Sequence, residues 1–69
     1  MRISARNILK GKVTTITEGM VNSEVVIELP GGQEIVAVVT KTSAQGLRLT
    51  VGREAYAVIK ASNVMVGVD

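Results

Sequence analysis

Apolar β-branched residues recur along this chain in short runs, and turn-forming residues break the runs at short intervals. That rhythm predicts an all-β domain of about five strands. The first strand begins near Asn7 and runs through Thr17, and Gly11 in its middle predicts a bend or bulge, as at a barrel corner. Glu18-Gly19 turns the chain. In the second strand, Val21 to Leu29, the residues Val25, Ile27 and Leu29 alternate with Glu24, Val26 and Glu28, so one face is buried and the other is mixed. Pro30-Gly31-Gly32-Gln33 closes a hairpin. The third strand, Glu34 to Thr40, is apolar on both faces, which in so small a domain points to a partner subunit. From Thr40 to Leu47, leading hydroxyls and a late glycine predict one short helical turn with a side-chain N-cap and Gly46 as C-cap. Leu47, Leu49 and Val51 form the apolar side of the next connection, and Gly52-Arg53 turns the chain again. The fourth strand spans Glu54 to Lys60. Ala61-Ser62-Asn63 interrupts it, and Val64 to Val68 makes the fifth. Five strands with a short helix between the third and fourth is the element order of the OB-fold, a five-stranded Greek-key barrel that is partly open.

Composition sharpens the expectation of a partner. The 69 residues make one domain, 1–69, with no internal repeat or linker. A domain this small buries only roughly 60% of its unfolded surface and usually needs extra support. There is no cysteine, which excludes disulfides and thiolate metal sites, and no histidine, which removes the commonest transition-metal ligand and general base. Oligomerisation remains, and a chain that is 46% hydrophobic without Phe or Trp suits broad interfaces between strands. No run approaches the ~18 apolar residues of a membrane span. The N-terminus lacks the apolar segment of a signal peptide, so a cytoplasmic protein without a membrane partner is expected. The net charge of +2 is too weak to imply nucleic acid.

Three stretches interrupt the apolar pattern with hydrogen-bond donors: Ser4-Ala5-Arg6-Asn7, Thr40-Lys41-Thr42-Ser43 and Lys60-Ala61-Ser62. None contains an acid, although the chain has six. Arg6, Lys60, the hydroxyls and the N–H groups of a helix start can each donate to an oxyanion. Each stretch also has a purely structural reading. Ser4 can form a turn, Arg6 can be a solvated cation, Thr40 and Ser43 can cap the helical turn, and Lys60 can guard a sheet edge. Other chemistry lacks its residues. The acids are dispersed along the chain, and without His or Cys no ordinary nucleophile–base pair forms, so no enzyme and no catalytic residue is expected. A nucleic-acid-binding OB module is the alternative function, but such modules stack bases on aromatic side chains and Tyr56 stands alone.

Ile3-Ser4-Ala5-Arg6-Asn7 followed by Leu9-Lys10-Gly11-Lys12-Val13, then Val21-Asn22-Ser23-Glu24-Val25 before a Gly-Gly hairpin, then Ala55 through Met65, resemble the small molybdate-binding Mop proteins, the molbindins. The domain type is also called TOBE, and with nothing before or after it here the chain resembles the stand-alone form. The resemblance implies an OB-like domain that exchanges a strand between subunits, with dimers pairing into a homohexamer, a trimer of dimers. It implies molybdate or tungstate bound at subunit interfaces for storage and homeostasis, with no further cofactor and no coordinated metal cation. Ser4 and Arg6 would supply the first donors, with Ala5 and Asn7 lining the site. Lys60 would come from the closing motif, with Ala61 and Ser62 adjacent, and Thr40 and Ser43 from a neighbouring subunit. A second oxyanion site would lie around Val21, Asn22 and Ser23. Ile8 departs from the pattern, because a polar residue often follows the asparagine there.

Overall fold

The computed structural model describes all residues 1–69. Four strands form: β1 (Asn7–Glu18), β2 (Asn22–Glu28), β3 (Glu34–Thr40) and β4 (Glu54–Ile59). A six-residue helix, α1 (Lys41–Gly46), joins β3 to the connection before β4, and a 3-10 turn covers Ala61–Asn63. The strands make one antiparallel sheet in the order β3-β2-β1-β4.

The long β1 organises this sheet. Asn7 through Lys12 pair with β4, and Lys12 through Glu18 pair with β2. The register with β2 slips between Val13 and Thr15, and the Thr14 hydroxyl donates to the Val26 carbonyl at 3.4 Å beside the slip. The irregularity is a bulge that bends the strand. It falls three residues beyond the glycine expected to mark it. Gly11 lies in unbroken register with Ala55 and has a different role: a Cβ there would sit 2.5 Å from the Glu28 carbonyl oxygen and 2.7 Å from Ile27 Cγ2. Gly11 is needed because β2 passes too close for any side chain.

The β2–β3 hairpin turns as expected at Pro30-Gly31-Gly32. The Gly32 amide donates to Leu29 O at 2.9 Å, and Gly32 takes φ +91°, which glycine accepts without strain. The alternation read in β2 also holds. Val25 and Ile27 are buried together with Val13 and Ala57, and Leu9, Ile16, Ile35 and Val39 pack around them. Truncating Ile27 to alanine would cost about 2–5 kcal/mol.

Three expectations change. First, no fifth strand forms. Beyond the 3-10 turn, Met65, Val66 and Val68 are 94%, 91% and 94% exposed, because within one chain this segment meets no sheet edge. The observed form is a curled four-stranded sheet, not a five-stranded barrel. Second, β3 is buried on neither face. Ile35, Ala37 and Val39 are half-buried on the core side, while Val36 and Val38 are exposed, because β3 is an edge strand whose outer face nothing covers. Third, Gly46 does not cap α1. It is the last helical residue, and the left-handed position falls on Arg48 at φ +54°. The Arg48 amide donates to Gln45 O at 3.0 Å and the Leu49 amide to Ala44 O at 3.1 Å, the paired bonds of a Schellman ending. That ending brings Leu49 against the core.

Only six of the 69 residues are buried, and the accessible surface is 5566 Å². A folded monomer of 7.3 kDa has roughly 4,200 Å². The surplus is about a third of the expected area and is rich in valine and methionine, the surface a partner would cover.

Candidate functional site

The pairing of β1 with β4 decides which donors meet. Asn7, the first residue of β1, lies opposite Ile59, the last residue of β4. The stretch just before Asn7 and the stretch just after Ile59 therefore leave the sheet side by side. They line an open cleft of about 510 Å³. Ser4, Arg6, Lys60, Ser62 and Asn63 supply its polar atoms, and Ile3, Ala5, Val58 and Ala61 supply apolar wall.

The lining holds two cations and no acid. The chain's one ion pair, Lys10 to Glu54 at 3.4 Å, lies elsewhere. No hydrogen bond within the chain occupies the side chains of Ser4, Arg6, Lys60 or Ser62. The amides of Ala61 and Ser62, at the start of the 3-10 turn, are likewise without a partner among the backbone bonds outside the strands. Two positive charges, two hydroxyls and free amides thus face one solvent-filled space. Such a set suits an anion that accepts bonds from several directions.

Asn7 stands behind this lining. It is half-buried, and its Nδ2 donates to the Ile59 carbonyl at 3.2 Å. Thr40 and Ser43 are elsewhere. Asn22 pairs with Thr40 and Ser23 with Glu18, so the second donor stretch sits at the far end of β1. There the hydroxyls bond to one another. Thr40 Oγ1 accepts from the Ser43 amide at 3.0 Å and lies 2.7 Å from Ser43 Oγ. The Lys41 amide, expected to be a free helix-start donor, donates to Val21 O at 2.8 Å. Val21, Asn22 and Ser23 belong to this same end. Val21 and Asn22 are exposed, whereas Ser23 is 1% exposed and its hydroxyl has no partner.

The candidate residues therefore fall into two groups. Ser4, Ala5, Arg6, Lys60, Ala61 and Ser62 share one cleft with Asn7 at its back. Thr40 and Ser43 share the opposite end with Val21, Asn22 and Ser23, out of reach of that cleft within one chain. Sequence reasoning missed Ile3, Val58 and Asn63 as lining. Val58 carried a usable signal, because in a strand it faces the same side as Lys60 two positions on.

Comparison with known proteins finds relatives that share this fold along its whole length. The family model described as the TOBE domain matches residues 3–66. A probable molybdenum-pterin-binding protein of Haemophilus influenzae is 52% identical over 69 residues, covering 100% of both chains. Among solved structures, MopII from Clostridium pasteurianum superposes with a TM-score of 0.92 at 42% identity, covering 97% of this chain and 100% of that one. ModG, described as a cytoplasmic molybdate-binding protein and solved with molybdate bound, superposes with a TM-score of 0.96 at 55% identity; the match covers 100% of this chain and 49% of ModG.

Proposed function

The chain belongs to the TOBE-domain family, among its Mop proteins, and from that premise we propose that it binds molybdate at the cleft between the start of β1 and the end of β4. The observation that carries the reading is the acid-free lining, in which Arg6 and Lys60 have no carboxylate partner. A tetrahedral dianion neutralises both cations at once, so their burial against it leaves no net charge to desolvate. Charge-assisted bonds from the two residues contribute roughly 1.5–3 kcal/mol each, and the hydroxyls and amides fix the orientation. Tungstate, with the same charge and shape, takes the same donors. Cavity size discriminates against sulfate. The lining holds no carboxylate, imidazole or thiol to do chemistry on the anion, and we assign the site storage and homeostasis without turnover, in the cytoplasm.

One chain leaves the cleft open. We place its closure in a homohexamer, a trimer of dimers, in which Val64–Val68 of one subunit completes the sheet of another. The surplus apolar surface and the exposed tail support this assembly. In it the hydroxyls of Thr40 and Ser43 reach the cleft of a neighbouring subunit, and a second oxyanion site forms around Val21, Asn22 and Ser23, where the unpartnered Ser23 hydroxyl favours an added acceptor. The nucleic-acid reading has no comparable support, since Tyr56 remains the lone aromatic. Titration calorimetry with molybdate, tungstate and sulfate tests the proposal. Tight binding of the first two and weak binding of sulfate is expected. Equal weak binding of all three overturns it.

A further inference from the structure

Asn7 has a carboxamide beside an anion cleft, yet it points away from the work of holding the anion. Its Nδ2 donates 3.2 Å to the Ile59 carbonyl, across 52 positions of sequence. Of the five hydrogen bonds that involve a side chain, this one alone joins β1 to β4. It sits on the final pair of their ladder, with Ser4–Arg6 on one side and Lys60–Ser62 on the other. No hydrogen bond joins those two stretches directly. Ladder ends fray, because their backbone bonds face water and few contacts oppose local opening. A site that sorts anions by size needs its donors held within about half an ångström.

We infer that Asn7 is a positioning residue, a clasp that fixes the gap between Ser4/Arg6 and Lys60/Ser62, and does not itself contact the anion. The inference rests on the oxyanion reading of the cleft. It assigns the family-like Ser-Ala-Arg-Asn run two kinds of work: the first three residues face the ligand, and the fourth holds their distance to the other strand. Half-burial of Asn7 and its absence from the cleft lining agree with that division.

The test uses the full chain as Asn7→Leu, which keeps similar volume without a donor, and Asn7→Ala. Molybdate and sulfate affinities are measured by calorimetry, and amide hydrogen exchange is followed without anion. A clasp predicts molybdate binding weaker by roughly two- to tenfold, the range for one neutral hydrogen bond. It also predicts a narrower preference for molybdate over sulfate and faster exchange at the Asn63 amide, which bonds to the Lys60 carbonyl, while the Val25 and Ile27 amides are unchanged. Weaker binding with unaltered exchange at Asn63 would make Asn7 a direct ligand and overturn the inference, as would unchanged binding. If the unmodified protein binds no molybdate, the oxyanion reading fails while the exchange arm still reads the clasp. Should both variants fail to fold, the unmodified protein decides. One Asn7 side-chain proton must then be protected from exchange before anion is added, and free exchange of both overturns the clasp.

Discussion

The two ends of β1 carry similar residues and use them differently. At the Asn7 end, the side chains of Ser4, Arg6, Lys60 and Ser62 make no bond within the chain and surround an open cleft. At the Glu18 end, Thr40 caps α1 through the Ser43 amide and meets the Ser43 hydroxyl, and the Lys41 amide is taken by Val21. Residue type does not separate these groups. The difference lies in whether a donor is already satisfied by its own fold. Unsatisfied donors are free to meet a ligand, and satisfied ones hold the chain together.

Removing the assembly breaks the comparison most severely. A chain ending at Asn63 keeps both ends of β1 and loses the exposed apolar tail. Native mass spectrometry should show a smaller species, and molybdate affinity should fall at least as far as with any single substitution, because no neighbour then closes the cleft. Full-affinity binding by that shortened chain would mean that one subunit suffices.

Arg6→Ala comes next. Loss of a charge-assisted bond worth roughly 1.5–3 kcal/mol weakens molybdate binding about ten- to hundredfold. The anion-free protein should melt almost unchanged, since Arg6 bonds to nothing within its chain. Thr40→Val should lower stability as well as binding, because the hydroxyl assigned to a neighbour's cleft also caps α1. It removes an N-cap acceptor at a cost of about 1 kcal/mol, which lowers the melting temperature by about 4–8 °C in a domain this small. Ser43→Ala sharpens the contrast further, because it keeps the capping amide and deletes only a hydroxyl. Its expected effect is binding weaker by roughly two- to tenfold at little cost in stability. If Thr40→Val lowers affinity more than Ser43→Ala does, the hydroxyl that reaches the neighbour's cleft is Thr40.

The sequence made the local rules readable and left the long-range ones open. Alternation in β2 gave Val25 and Ile27 their buried face, and Pro30-Gly31-Gly32 gave the hairpin, because both depend on near neighbours. The meeting of Ser4 with Lys60 depends on the register of strands about fifty positions apart, which no local pattern encodes. It was reached through resemblance to the Mop proteins. The separation of Thr40 and Ser43 from that cleft was likewise implied only by the resemblance, and the inward turn of Asn7 could not be read at all, since a side chain's hydrogen-bond partner is set by packing. The tail failed in another way. Val64–Val68 has the composition of a strand, but a strand exists only in a ladder, and within one chain the tail pairs with neither sheet edge.

The smallest effect concerns the end of α1, where a local rule pointed two residues away from the answer. Gly46 looked like the left-handed cap, yet it is helical, and a Cβ added there meets nothing within 4 Å. Arg48 adopts φ +54° instead, a conformation that costs an L-residue about 1 kcal/mol and glycine almost nothing. The bonds that fix this ending come from the Arg48 and Leu49 amides, and Arg53 donates to the Arg48 carbonyl at 3.1 Å. All of them survive a change of side chain. Gly46→Ala should therefore stabilise the fold by about 0.5–1 kcal/mol, chiefly by restricting the unfolded chain. Arg48→Gly should gain less, because relief of strain is partly offset by the freedom glycine adds to the unfolded state. Neither should alter molybdate affinity, since neither side chain is among the donors assigned to the anion. Chemical denaturation of the two variants checks the pair, and a Gly46→Ala protein less stable than its parent would return the cap to Gly46.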